Sequence, residues 1–531
     1  MKNKKRDFSR HNFFFGLILL FGTCIAVFYF LFSSSENGRL ICVLDDAYIH
    51  LKFARNLVSG NGYSFNPGVW VPGSTSPLWV FWLALLSFFY ADFEIIALVS
   101  GFLFYLLSGL LLYYALIKAG FSRLEACFSG LFCLLTGPYC WVSFSGMETS
   151  LFALAVLGIP CIIILGFARP GWVSSLYLIL LLWLRPEGGL FGFLFWLRFY
   201  LWDFFQKKIV LKDFIIWNLV ITIGFFPYFL GNLLMVGHLF PNTYYAKIAG
   251  HKIFALSPAK DYYLSVMWMM FEWNPIFFLA AIFSIFYLYR EKLLICYLLF
   301  FLLPIFQAFY FPWNDQAGRY LLPLVPLIYF LGAFSLHWWI KYPLSGGLSS
   351  GRKNRYLLLL LPFIFYAFYW NINWARTFSL STKNILKMHF NMAAWVDKNI
   401  LPAETIALGD IGIISFFCRN HIIDINGLIS PEIVESRGRL PFEIAIFKNF
   451  LKKRPGFVIA LQSWFPFFRN FKGFEQVYQV RVPLEDNVVL GGNLMVVYRI
   501  DYSPGPGTWV TYYKKSSFFK KSSGKRDAGD S

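Results

Sequence analysis

Two adjacent carboxylates, Asp45 and Asp46, open the polar stretch LDDAYIHLKFARNLVSGNGYSFNPGVWVPGSTSP from Leu44 to Pro77, just past the first apolar segment. Side by side near a membrane surface, such acids repel each other and resist desolvation. A purely structural turn has little reason to carry that cost. Chemistry at a membrane face supplies a reason: a carboxylate there takes the proton of an attacking hydroxyl, and the pair permits a divalent cation without demanding one. The pair also suits the head of a helix over 47–58, where unpaired N–H groups favour acids. Both uses hold at once, because a helix start fixes a carboxylate in space.

Four further polar stretches interrupt apolar sequence. Glu148, in Gly146-Met147-Glu148-Thr149, is a second candidate acid or a helix cap. Arg185 and Glu187, in Arg185-Pro186-Glu187-Gly188, either pair with each other or leave Arg185 to face a phosphate, whose oxygens its planar fork matches. Lys247, which ends Pro241-Asn242-Thr243-Tyr244-Tyr245-Ala246-Lys247, and Arg319, which ends Trp313-Asn314-Asp315-Gln316-Ala317-Gly318-Arg319, are further phosphate candidates. Cations beside aromatics suit a sugar phosphate, since rings such as Tyr244 and Tyr245 stack on sugar while the cation meets the phosphate. The structural alternative is snorkelling at the interface. His50 and His238 are isolated, with no metal-ligand spacing. Asp410 and Asp424 end expected strands, where they either meet an acceptor or shape loops.

The elements that must position these groups are mostly membrane helices. Of 531 residues 58% are hydrophobic, 21% aromatic and only 14% charged, which excludes an ordinary soluble globule. The net charge of +19 sits in short clusters between apolar runs, as topology determinants do, and not in a nucleic-acid-binding stripe. Eight Cys without CxxC spacing give no metal or disulfide framework.

The basic N-terminus precedes an apolar run, 13–32, long enough to cross a bilayer core of about 30 Å and too long for a typical cleaved leader. Ten more runs fall near 95–117, 124–141, 150–168, 172–185, 188–203, 213–236, 275–289, 293–311, 320–340 and 356–371. The short run 77–91 is assigned to the interface. The inside segments 1–12, 118–123, 169–171, 204–212, 290–292 and 341–355 then hold 17 Lys and Arg, against fewer than half as many in the longer outside loops. If 77–91 crossed, every later loop would break the positive-inside rule. The expectation is a polytopic α-helical protein of about eleven transmembrane helices over 1–371, its N-terminus cytoplasmic. The first extracytoplasmic loop is 33–94. All five polar stretches then land on one face, although none was used to set the topology.

Beyond 371 the composition changes to that of a soluble α/β domain, 372–510, which an odd number of spans places outside. Strands are predicted at 405–408, 421–425, 457–461, 477–482 and 494–500. The Lys- and Ser-rich tail 511–531 is expected to be disordered. No phosphate-binding loop or dinucleotide fingerprint is present.

Taken as a set, these residues resemble the glycosyltransferase C (GT-C) superfamily of polytopic enzymes that use polyprenyl-phosphate sugars. The hallmark of that superfamily is an acid or acidic pair in the first extracytoplasmic loop, matched by Asp45-Asp46, with a second acid in a later outer loop, matched by Glu148. The stretches 45–79, 146–149, 185–188, 241–247 and 409–432 look most like the branch holding the actinobacterial terminal arabinofuranosyltransferases. The chain departs from that branch at Val71-Pro72-Gly73-Ser74-Thr75-Ser76-Pro77, where an acid is missing, so arabinose is not carried over.

The resemblance implies transfer of a sugar from a polyprenyl-phosphate donor to an envelope glycan, glycolipid or protein. The setting would be the extracytoplasmic face of a bacterial inner membrane. Asp45, Asp46 and Glu148 would be the acids, with Arg185, Glu187, Tyr244, Tyr245, Lys247 and Arg319 around the donor. Because the donor arrives lipid-anchored, no nucleotide fold is needed. A transporter or flippase of lipid-linked sugars would instead need charges near the bilayer midplane and two related halves. A non-catalytic envelope assembly partner would tolerate loss of Asp45 and Asp46 together.

Overall fold

A 36-residue helix, Lys2–Asn37, starts the chain and packs against a second long helix near the other end of the membrane part, Leu361–Ile385. Tyr29 fixes their register by donating to the Asn371 carbonyl (3.0 Å), and Ser33 meets Thr382 (2.9 Å). The computed structural model describes residues 2–248, 256–288, 293–310, 315–345, 361–437 and 439–503. Trp313, Asn314 and the tail 511–531 lie outside the described residues, as do most of the basic segments 290–292 and 341–355.

Among the described residues four helices are long and apolar enough to cross a membrane: His11–Asn37, Phe93–Lys118, Leu211–Val236 and Gln316–Trp339. Two bent pairs raise the number to six, Arg123–Leu134 with Gly137–Ser143 (63°) and Ala259–Trp273 with Pro275–Phe283 (118°). The chain is thus a multi-pass membrane protein. The difference from eleven expected spans has identifiable causes. Gly137-Pro138 breaks the run 124–141, Pro186 ends Trp172–Leu184, and Asn274-Pro275 turns the chain sharply. Several apolar runs therefore form helices of 10–17 residues. The run 77–91 yields only Pro77–Ser87, too short at about 1.5 Å per residue to span. The helix Leu256–Trp273 falls between the apolar runs 213–236 and 275–289 and carries Lys260, Asp261 and Glu272 among its apolar residues.

Leu361–Ile385 does not end at the membrane part. It runs through one π-helical turn, Leu386–Phe390, into Asn391–Asn399, so a single rod reaches the C-terminal domain. That domain is a five-stranded sheet: β1 (Thr405–Leu408), β2 (His421–Asp424), β3 (Phe457–Leu461), β4 (Phe474–Arg481) and β5 (Leu494–Ile500), in the order β2-β1-β3-β5-β4. β1 is parallel to β2 and β3, while β5 is antiparallel to β3 and β4. The parallel strands are short apolar runs buried on both faces. Alternation sends Ile406, Leu408 and Ile459 toward Met392 and Val396 of the rod. It sends Ala407, Val458 and Ala460 toward Ile446, Phe447 and Phe450 of the helix Phe442–Lys453.

The first loop is stitched to this domain by polar contacts. Asn66 bonds both ways with the backbone of Ile422 on the edge strand β2 (2.8 and 2.9 Å), and Lys52 donates to the Ser415 carbonyl (2.6 Å). Asn242 donates to the carbonyls of Gly427 (2.5 Å) and Leu428 (3.2 Å), while its own N–H reaches Pro72 (3.1 Å). The carboxyl ends of β1, β2 and β3 thereby face the start of the helix Asp45–Val58.

Candidate active site between the first loop and the sheet

Asp45 and Asp46 begin the helix Asp45–Val58, and neither side chain caps it. Asp45 instead reaches across to the sheet domain. Its carboxylate oxygens accept the N–H groups of Gly412 (2.8 Å) and Ile413 (2.7 Å), which start the short helix after β1. Gly412 is required there, because a Cβ would overlap the Asp45 carbonyl. His389, on the π turn of the rod, places Nε2 4.0 Å from Asp45 Oδ1 and 3.2 Å from Asp410 Oδ2. Burial drives the Asp45 carboxyl up to about 6, opposed by His389 and the two amide donors and assisted by Asp410. Burial would lower His389, but the two carboxylates beside it prevail and raise it.

Asp46 looks the other way, onto the Arg319 guanidinium. Burial alone would raise its carboxyl; Arg319 and Lys247 outweigh that and hold it at about 2. Arg319 follows three residues with left-handed backbone, Gln316 (φ 54°), Ala317 (φ 61°) and Gly318 (φ 65°). Two of these are not glycine, a strained turn of the kind that persists where surrounding structure fixes it. Tyr320 comes next in sequence. Its hydroxyl accepts from Lys247 Nζ (3.0 Å) and Arg319 (3.1 Å), and its ring lies 5.1–5.4 Å from Lys247, Arg319 and Arg185. Three cations thus surround one aromatic ring, each at cation–π distance.

Behind Tyr320 lies a second cluster. Arg185, held between Trp172–Leu184 and Pro186–Trp196, bonds Glu187 with two nitrogens (3.1 and 3.3 Å) and Glu148 at 3.2 Å. Glu148 precedes the helix Thr149–Ile164 but makes no side-chain cap, turning to Arg185 instead. Gly146, with φ +88° and Cys42 Sγ packed where a Cβ would stand, makes the turn that delivers Glu148. His50 sits 3.6 Å from Glu148 and bonds Ser74 (2.8 Å). Burial lowers its basicity, although both Glu148 and Asp46 oppose the fall.

Two cavities meet at this wall. The outer, of about 680 Å³, is lined by Asp45, His389, Asp410 and the loops after β1, β2 and β3. It occupies the place where open α/β sheets bind ligands, outside the carboxyl ends of parallel strands. The inner, of about 50 Å³, is lined by Glu148, Arg185, His50, Thr149 and Thr243. Asp46, Lys247, Arg319 and Tyr320 border both. The structure therefore gathers Asp45, Asp46, Glu148, Arg185, Lys247 and Arg319 around two adjoining cavities, with Glu187 behind Arg185.

Tyr244 and Tyr245 are not brought there: Tyr244 packs on Phe240 (5.0 Å) and Tyr245 on His238 (4.7 Å). Asp424 is also away from the space, its carboxylate taken by the N–H groups of Asn426 and Ile429 (2.8 and 3.0 Å). Sequence reasoning missed His389, which no spacing marks, and Tyr320, although it neighbours Arg319 as the Tyr–Lys logic would require. Asp45 and Asp46 diverge, one toward an imidazole and amide donors, the other toward a guanidinium. Among the described residues no group of three or more His, Cys, Asp or Glu is arranged to hold a metal ion.

The overall geometry matches solved structures. The crystal structure of ArnT from Cupriavidus metallidurans bound to undecaprenyl phosphate superposes with a TM-score of 0.57, covering 91% of this chain and 98% of that one at 12% identity. Its apo form gives 0.56, with 92% and 98% covered at 13% identity. The fold is GT-C-like. A cryo-EM structure of the arabinofuranosyltransferase AftD from Mycobacteria gives 0.47, covering 90% of this chain and 40% of that one at 11% identity. Residues 381–512, the end of the rod and the sheet domain, match a family described as a domain of unknown function (DUF8728). No curated protein sequence matches the chain.

Proposed function

We propose that this chain is a membrane glycosyltransferase that moves a sugar from a polyprenyl-phosphate donor to a cell-envelope acceptor. The observation that carries the proposal is the opposite setting of two neighbouring acids. Asp45 is poised near neutrality beside an imidazole, as a base should be, while Asp46 stays ionised and anchors a cation cluster. The ArnT structure holds undecaprenyl phosphate in the same fold, which supports a lipid phosphate as the group carried here.

In this mechanism an acceptor hydroxyl enters the outer cavity and attacks the anomeric carbon of the donor sugar. The bond from that carbon to the phosphate oxygen breaks, and polyprenyl phosphate leaves. The hydroxyl proton passes to Asp45. Lys247 and Arg319 meet the charge that develops on the leaving phosphate, and Tyr320 holds both in place. Arg185 adds positive potential from behind, with Glu148 and Glu187 fixing its plane. Tyr320, not Tyr244 or Tyr245, is the ring beside the sugar phosphate. The enzyme works on the extracytoplasmic face of a bacterial inner membrane, its sheet domain outside and its N-terminus cytoplasmic. The eleven-span topology belongs to the same proposal.

The test is release of polyprenyl phosphate by purified protein in lipid, given a panel of polyprenyl-phosphate sugars and crude envelope as acceptor. Turnover of one donor, lost in Asp45→Asn, is the expected result. No turnover of any donor would sink the proposal in favour of transport or assembly.

A further inference from the structure

Asp45 is the only acid of its pair that touches the sheet domain, and it does so at three points: the Gly412 and Ile413 amides and the edge of His389. His389 is buried, and its Nε2 stands between two carboxylates carried by different parts of the chain. Asp45 comes from the first loop; Asp410 comes from the carboxyl end of β1, the usual position for functional groups in a parallel sheet. His389 itself rides on Leu386–Phe390, a π-helical turn within an otherwise α-helical rod. Such turns cost helix geometry and recur at functional sites, because the extra residue re-aims one side chain. Asp45, His389 and Asp410 all line the outer cavity, with Asp46, Lys247, Arg319 and Arg437 as the other charged groups facing it.

We infer that the sheet domain completes the base: His389 and Asp410 are positioning residues that keep the Asp45 carboxylate ionised and aimed into the outer cavity. An imidazolium beside Asp45 opposes the protonation that burial favours, and Asp410 holds the imidazolium there. This rests on the glycosyltransferase mechanism above, and it gives the C-terminal domain a role in the chemistry itself. Removing His389 leaves Asp45 buried next to Asp410 with no compensating cation on that side. Asp45 then binds a proton at higher pH.

Two measurements test the inference. In the donor assay, His389→Gln should lower kcat by about twofold at pH 7 and by about tenfold at pH 5, with donor KM within about twofold. Its acid limb should move up by about one pH unit, so that activity returns at alkaline pH. A merely structural histidine would not give recovery with pH. An unshifted limb, or a raised KM at unchanged kcat, would overturn the inference. The second measurement needs no turnover: exchange of the His389 C2 hydrogen, followed by mass spectrometry across pH. Its midpoint should fall by about one unit in both Asp45→Asn and Asp410→Asn. A midpoint unmoved by either substitution overturns the inference, whatever the donor assay gives. A wild type that turns over no donor but shows the shifted midpoints leaves the charge triad standing and removes the glycosyltransferase mechanism instead.

Discussion

The inner chamber and the outer cavity share a wall but not a construction. Behind Asp46 the chamber is built by membrane helices and their loops, its acid Glu148 paired with Arg185, which Glu187 holds from behind. In front of Asp45 the cavity is roofed by strand ends of the soluble domain, and its charges face open space. Successive residues of a helix point about 100° apart, so one dipeptide serves both regions. Adjacent identical residues thus acquire opposite electrostatics, one near 6 and the other near 2.

The comparison breaks most readily at the dipeptide. Asp45→Asn should lower kcat by about 10²–10⁴ with donor KM nearly unchanged, the usual loss for a general base. Asp46→Asn should raise donor KM as well, because Arg319 loses its anchor, and identical kinetic profiles would remove the distinction. Next, Arg185→Gln leaves Glu148 and Glu187 facing each other in a buried site, so stability should fall by about 3–5 kcal/mol. Thermal unfolding in detergent should show that loss, and adding Glu148→Gln should recover part of it.

A smaller effect is pH. Asp45 accepts a proton only when ionised, and its value is raised, so turnover should fall about tenfold per unit below pH 6. An unperturbed Asp would hold activity to about pH 4. Asp46, held at about 2, should add nothing to that limb. The smallest contrast separates rings: Tyr320→Phe should cost about tenfold in kcat/KM through the lost hydroxyl contacts, whereas Tyr244→Phe should stay within about twofold. Equal effects would remove the distinction between the Tyr320 and Tyr244 hydroxyls.

What could be read in advance divides along the same line. β1, β3 and β5 have the residues expected of them, because short apolar runs between turn residues are local signals. Glu148, Arg185, Lys247 and Arg319 could be singled out because a charge inside apolar sequence is conspicuous, and a common outer face brought them near one another. Helix lengths were harder to read, since Pro138 breaks the continuous apolar run 124–141 into two helices that composition alone joins. His389 was invisible. It lies 344 residues from Asp45, and its importance depends on a π turn and a docked domain, both tertiary facts. Tyr244 and Tyr245 share a helix with Lys247 but pack on Phe240 and His238, since a helical turn decides which side chain faces the cavity.

Asn242 carries one more consequence. It clips the loop that bears Lys247 to the first loop on one side and to Gly427 and Leu428 on the other. Residues 381–512 form a recognisable sequence unit, yet they cannot be traded between proteins as a cassette. A chimera with a foreign domain must reproduce those two carbonyls and the Gly412 amide, or both the cation and the base shift out of alignment. The seam between membrane and soluble parts is therefore the region where engineering of this protein must begin.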